Sequence, residues 1–401
     1  MAKFCFVVHP LSFEDVARYE PGAAGKGHAI VAKIMEWMPS WAAAHVTGVR
    51  APDGRETEGW FVSAALLPGQ MLDLPREEVY DRIVRAIEIG IEFGAEIAGL
   101  GAFTGVIGDG GVTIAERVAI PVTTGNSLTI ACGVASLFRG ADEMEIDASQ
   151  ATAVIVGATG SIGAACVRLI APKVREIILV ARNETRLRKF HESIAGELPC
   201  RSSHTTDLSS AVRKGDLILT ATSSTQEIIQ PEDLRAGAVI CEVSLPHDVS
   251  RRVAVERPDV LVIEGGNMRM PGNPKWMRVR EPDQEFDMGL PRGTALACMS
   301  ETMVLALANR LESYTLGRGV DISKVVEIER LAHEAGFELA DLRAFDKAIT
   351  SEEIQSRKTA AALLRGRRND GDSEGTVMGR ALMGAPHAER VGGAQPGAER
   401  R

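Results

Sequence analysis

No Cys-x-x-Cys pair occurs among the six cysteines, Cys5, Cys132, Cys166, Cys200, Cys241 and Cys298. Scattered thiols without ligand spacing exclude a zinc knuckle and a disulfide framework. No Asp/Glu cluster marks a cation site, so no metal is expected. No apolar run approaches the ~20 residues that a membrane helix needs, and no integral membrane segment is expected. Positive charge is not in excess: 45 Lys and Arg stand against 54 Asp and Glu, a formal charge of −9. That balance argues against nucleic acid as a partner, although a local basic patch can still dock an acidic one. The absence of a basic, apolar leader and the free thiols together point to a reducing cytoplasm.

What the chain has is length and a glycine turn. Its 401 residues, 45% of them hydrophobic, suffice for two or three domains. The stretch Thr152-Ala-Val-Ile-Val-Gly157-Ala-Thr-Gly160-Ser-Ile-Gly163 is a β-branched run followed by three spaced glycines and then a helical pattern. This is the phosphate-binding turn of a dinucleotide fold. Gly157 permits the tight turn, Gly160 the approach of a pyrophosphate, and Gly163 the close packing of helix on strand. Thr159, Ser161 and Ile162 complete the turn at a helix N-terminus that favours negative charge. A second strand, Glu176–Ala181, follows at βαβ spacing. After it stand Arg182 and Asn183, where an NAD-specific site would place a carboxylate. A guanidinium pairs with a 2′-phosphate, so the expected cofactor is NADPH.

The fold class expected is α/β. Residues 1–130 read as an N-terminal α/β substrate domain and 131–275 as a Rossmann-type, doubly wound dinucleotide domain. Its strands are expected at 152–156, 176–181, 216–220, 238–242 and 260–264. Residues 276–350 read as a helical segment, and 351–401, rich in Arg, Gly, Ala and Pro, as a disordered tail.

Cys298 opens the long helix expected over Thr294–Glu312, where the helix dipole lowers a thiol pKa. A thiolate beside NADPH suggests thioester chemistry: acyl transfer to sulfur, then hydride to the bound carbonyl. The plainer alternative is a small buried hydrophobe. Asn126 and Ser127 are candidate oxyanion donors, and Asn126 serves equally as a helix cap. His247 is a candidate proton carrier. Thr222 and Ser223 follow a strand end at the cofactor edge, where a Ser-rich turn is the alternative. Met268, Met270, Met277, Met288, Trp276 and Phe286 either line an acyl tunnel or fill the core.

Several segments together carry a resemblance. They include His9-Pro-Leu-Ser-Phe-Glu14, Gly99-Leu-Gly-Ala-Phe-Thr104, Thr123-Thr-Gly-Asn-Ser127, Val156-Gly-Ala-Thr-Gly-Ser-Ile-Gly163 and Ala297-Cys-Met-Ser-Glu-Thr-Met303. Over roughly residues 1–345, in one order, the chain resembles the cyanobacterial long-chain acyl-acyl-carrier-protein reductases, which make fatty aldehydes. The resemblance implies that Cys298 is the acylated residue and that acyl carrier protein and acyl-CoA are the acyl donors. It also implies an aldehyde-deformylating oxygenase as a partner. The chain departs from the family at Leu128, where a histidine is usual, and at Glu242-Val-Ser-Leu-Pro246. Two other readings compete. One is a shikimate-dehydrogenase-like oxidoreductase using a Lys–Asp pair, for which Lys26 and Lys33 are the available lysines. The other is an NADP-binding sensor with an idle Cys298.

Overall fold

The computed structural model describes residues 1–224 and 226–378, with side chains through residue 365. The chain opens with β1 (Lys3–Val8), the short helices α1 (Phe13–Tyr19) and α2 (His28–Trp37), and the antiparallel pair β2 (Trp41–Arg50) and β3 (Glu56–Ser63). α3 (Pro68–Asp73) and α4 (Arg76–Glu92) lead to β4 (Ile97–Leu100), and α5 (Val112–Arg117) leads to β5 (Val122–Thr123). β1 is apolar at nearly every position because it lies inside a sheet covered on both faces. α4 turns Val79, Ile83, Ala86 and Ile87 onto that sheet, as its helical period requires.

α6 (Asn126–Glu143) leads into the second sheet, in which all neighbours are parallel. Its strands are β6 (Thr152–Val156), β7 (Glu176–Val180), β8 (Arg201–Thr205), β9 (Leu217–Thr220), β10 (Val239–Glu242) and β11 (Leu261–Glu264). The connecting helices are α7 (Ser161–Ile170), α8 (Glu184–Ile194), α9 (Leu208–Val212) and α10 (Arg252–Glu256). The strand order β11-β10-β9-β6-β7-β8 reverses at β6. The carboxyl ends of β6 and β9 therefore face the crevice where such sheets bind ligands. The α/β class and the doubly wound sheet stand as the sequence indicated.

The rest of the chain returns to both halves. β12 (Asn267–Arg269) precedes β13 (Gly272–Arg278), which pairs antiparallel with β2 and completes the first six-stranded sheet. The first sheet is thus not contiguous in sequence, and the dinucleotide unit ends near Glu264 rather than at 275. The signal was weak because β13 is a half-exposed edge strand with little apolar alternation. β14 (Thr294–Leu296) then pairs with β12 and hands the chain to α11 (Ala297–Leu307). α11 is shorter than the expected 294–312 and packs between the first sheet and α6; almost every residue of it is buried. α12 (Ile322–Glu334) and β15 (Glu338–Leu339) follow, and α12 also lies on α6. The tail reading fails over its first half. α13 spans Ser351–Met378, and Ile354 and Ala361 are buried while Lys358 reaches Glu145 at 2.9 Å. Residues 379–401 lie outside the described residues.

One part of the molecule has its own small core. Under α1 and α2 only Val31, Met35 and Leu67 are fully buried, and they are separate from the main clusters. α2 leaves Ile30, Ile34 and Trp37 exposed, the first two of them toward the cleft between the sheets.

Candidate active site

A cleft of about 1670 Å³ runs between the two sheets. Ligand pockets commonly fall in the range of about 300–1,000 Å³, so this one has room for more than one ligand. The glycine turn forms one wall. Gly157 has φ +84°, and a Cβ on it would lie 2.3 Å from the carbonyl oxygen of Ala221. A Cβ on Gly163 would meet the Gly157 carbonyl oxygen at 2.3 Å. Gly160 lines the cleft, and a Cβ on it would sit tightly, 3.2 Å from the Gly157 carbonyl oxygen. No side chain caps α7, which leaves the N–H groups at Ser161 and Ile162 for an anion. These features fit a bound dinucleotide.

The residues after β7 divide their work differently from the sequence expectation. Asn183 is taken up as the cap of α8; its Oδ1 accepts the Arg186 N–H at 2.9 Å. Arg182 is exposed and does not line the cleft, whereas Arg186 does, with Nη2 on the Thr159 carbonyl at 2.7 Å. Thr222 lines the cleft, but its hydroxyl donates to Asp248 at 2.6 Å, leaving Ser223 as the exposed hydroxyl there.

Cys298 is the second residue of α11 and faces the same cleft, half-buried. Its neighbourhood is built by backbone. Gly125, at φ +72°, packs so tightly that a Cβ on it would lie 2.3 Å from Cys298 Cα. The backbone at Met299, Cys298 and Ala102 favours the thiolate. Ala102 holds φ +46°, a conformation uncommon outside glycine that is stored at sites where backbone direction matters. Burial nevertheless wins, with Glu301 adding to it: the thiol is pushed up to about 12. The expected depression by the helix terminus is therefore overturned for the free protein.

Behind Cys298, a buried network holds the segment 123–128 to α11. The Glu301 carboxylate accepts from Thr123 Oγ1 at 2.5 Å, Leu128 N–H at 2.8 Å and Thr315 Oγ1 at 3.1 Å. Burial raises its pKa. Ser127 belongs to this network, with Oγ 2.8 Å from Thr315 Oγ1, and is completely buried. Its reading as an oxyanion donor is therefore withdrawn. Asn126 is not a cap either, since Gly125 holds that position; its Nδ2 reaches Ser161 Oγ at 3.4 Å across the cleft. Glu301 was missed in the sequence because a glutamate inside an apolar helix has no local signal of its partners.

His247 lines the cleft near the ends of β10 and β11. Its Nδ1 lies 2.8 Å from Glu242 Oε2, and that bond raises the imidazole pKa. Ligand atoms of His247, Glu264 and Asp346 come within 4.8 Å of one another, a grouping invisible in sequence. Each already has a partner: Glu264 pairs with Arg343 at 2.8 Å and Asp346 with Arg251 at 3.0 Å. His9 also borders the cleft, but both ring nitrogens are occupied, by Pro10 O at 3.0 Å and Phe103 N–H at 3.1 Å. Burial takes its pKa down to about 4.

The cleft continues into an arm walled by Val16, Ile30, Ile34, Met38, Phe286 and Met288. Met268 and Met270 are buried in the core instead, and Trp276 packs edge-on against Phe61 at 4.9 Å. Met277 likewise lies away from the cleft.

Residues 140–264 match the family model of shikimate/quinate 5-dehydrogenases. Aminotransferase PigE of a Serratia species is 31% identical over 314 residues, which cover 77% of this chain and 36% of that protein. The chain thus spans about a third of that relative's length. Long-chain acyl-[acyl-carrier-protein] reductase of Synechococcus elongatus is 25% identical over 302 residues, 72% of this chain and 85% of that protein. Among solved structures, the nucleotide-binding domain of glutamyl-tRNA reductase from Thermoplasma volcanium is 21% identical, with a TM-score of 0.24 over 33% of this chain and 84% of that one. The second unit is a nicotinamide-dinucleotide-binding domain of the oxidoreductase kind, and NAD(P)H is its cofactor. No described helix is long and apolar enough to cross a membrane.

Proposed function

We propose that the chain reduces a long-chain fatty acyl thioester to a fatty aldehyde, with NADPH as reductant and Cys298 as the acylated residue. One observation carries this reading: a single cleft holds the glycine turn, a cysteine at a helix N-terminus and an apolar arm. Carrier-protein and CoA thioesters are the proposed donors, in the cytoplasm, with an aldehyde-deformylating oxygenase as a proposed consumer of the product.

The Cys298 sulfur attacks the thioester carbonyl and expels the donor thiolate, which takes up the proton that Cys298 loses, leaving an acyl-cysteine and a free donor thiol. Backbone N–H groups near Cys298 are the proposed donors to the oxyanion that develops. The nicotinamide, when bound, supplies a hydride to that carbonyl carbon. The carbon–sulfur bond of the acyl-cysteine then breaks, releasing aldehyde and returning the thiolate. Asn126 is tied to the turn through Ser161, and His247, held by Glu242 in the same cleft, is the group proposed to return a proton to the thiolate. Gly157, Gly160, Ser161, Ile162 and Gly163 hold the pyrophosphate, with Arg186, rather than the expected Arg182, toward a 2′-phosphate.

The dehydrogenase family match favours a second reading, oxidation or reduction of a small polar substrate. The Lys–Asp pair that this needs is not seen among the described residues: Lys33 pairs with Glu36 at 2.6 Å, and Lys26 has no aspartate beside it. Intact-mass measurement after mixing with a C16 acyl-CoA, without NADPH, separates the readings. One acyl adduct, lost in Cys298→Ala and cleared to aldehyde by NADPH, is the expected result. No adduct from either CoA or carrier-protein thioester, in protein that binds NADPH, would move the small-substrate reading forward.

A further inference from the structure

Beside the glycine turn, outside the cleft, is a depression of about 370 Å³ bordered by Arg168 of α7, Arg186 of α8 and Arg318 of the segment before α12. Its rim is shared with the cleft through Ser161, Arg186 and Arg318. Phe190 and Val320 give it an apolar lining, and the Arg168 guanidinium lies 5.8 Å from the Phe190 ring. All three arginines are exposed. Each makes only a carbonyl contact: Arg168 to Ala164 at 3.4 Å, Arg186 to Thr159 at 2.7 Å and Arg318 to Gly108 at 3.4 Å.

Among the described residues none of the three has a carboxylate within 4.0 Å. Elsewhere among the described residues Arg117, Arg252, Arg257, Arg310 and Arg343 each meet at least one acid, while Arg76, Arg82, Arg139, Arg175 and Arg280 do not; what sets the three arginines apart is that they border one depression. A cluster of unanswered guanidiniums in a chain of formal charge −9 is a local inversion of the molecule's field. Arginine and an aromatic together are also the residue types enriched where proteins meet.

Resting on the thioester reading above, we propose that Arg168 and Arg318 are the docking surface for the protein that delivers the acyl thioester, with Arg186 at the shared rim left to the cofactor. The partner is a small acidic protein presenting carboxylates on a helix, with one apolar side chain for the Phe190–Val320 lining. The charges span a helix and a loop, which is broader than one phosphate group. Docking there sets a tethered thioester at the cleft mouth beside Ser161, and Ser161 is in turn bonded to Asn126, next to the Gly125–Cys298 contact. Charge complementarity of this kind steers encounter and weakens with salt.

The test uses the full chain and the double variants Arg168→Glu/Arg318→Glu and Arg168→Lys/Arg318→Lys. Three quantities are measured: the Kd of a dye-labelled acidic acyl carrier protein at low and high salt, the Kd of NADPH, and turnover of an uncharged acyl-N-acetylcysteamine thioester. Charge reversal is expected to weaken carrier binding by at least about tenfold and to flatten its salt dependence. The lysine pair should keep most of the affinity, while NADPH binding and acyl-N-acetylcysteamine turnover stay at the wild-type level. Unchanged carrier binding overturns the proposal. So does an equal loss of NADPH affinity, which would make the patch a cofactor-phosphate site. Carrier binding through these arginines without any acyl adduct on Cys298 would keep the docking and fail the chemistry. An adduct from the uncharged thioester without carrier binding would do the reverse.

Discussion

Cys298 shows two opposed physical effects at one atom. The backbone around it and a helix terminus favour its thiolate, and burial with a nearby glutamate opposes it and prevails. The sign is definite: a thiol raised to about 12 has a thiolate fraction that grows about tenfold per pH unit across the neutral range. Iodoacetamide labelling of Cys298 in the free protein should therefore be slow at pH 7 and still be climbing above pH 9. A plateau below pH 8 would show that the helix terminus dominates after all. The neighbouring glycine gives a second test. Gly125→Ala would force a Cβ to within 2.3 Å of Cys298 Cα at a positive φ. A displacement near 1 Å commonly costs about 100-fold in rate, so aldehyde formation should fall by that order while NADPH affinity holds. Equal loss of both would mean that Gly125 supports the fold rather than the cysteine.

At the level of elements, the helices that meet the cleft are fixed by buried polar bonds that leave no periodic trace. The βαβ unit from Thr152 to Val180 was legible because β-branched runs, glycine spacing and helical period agree there. β13 and α13 were not, since an edge strand and a helix of low apolar content resemble loops until their partners are known. Ser127 misled for a related reason: a serine beside a glycine turn faces the cleft or the interior depending on where Thr315 sits, 188 residues later. Glu301 is the element-scale counterpart of that lesson. Glu301→Ala leaves the Thr123 hydroxyl and the Leu128 N–H without their acceptor, both inside the core. The expected cost is about 2–4 kcal/mol in urea unfolding, with Glu301→Gln intermediate because it keeps one acceptor oxygen. A loss under about 0.5 kcal/mol would show that the network is relaxed by other donors.

In the whole molecule, two six-stranded sheets are tied by α6, α11 and the return of β13, so the cleft is bounded by elements that belong to both halves. The candidate site was legible as a list of motifs but not as a place. Gly157–Gly163, Asn126 and Cys298 are far apart in the chain, and only the folded α6 and α11 bring them to one wall. His247 and Arg186 join them there, while Asn183 and Ser127 are spent on a cap and a core network.

The helices α1 and α2 stand apart from that rigidity, resting on a core of three fully buried side chains while walling the apolar arm. Few buried contacts mean a low free energy of local opening, independent of global unfolding. Deuterium should enter the amides of Phe13–Tyr19 and His28–Trp37 well before those of β1 or β6. A long-chain aldehyde or acyl analogue should slow that entry, because it would cover Ile30 and Ile34. Equal protection across all four segments would mean that this flap does not breathe, and that a sixteen-carbon chain must thread the cleft end-on rather than enter from its side.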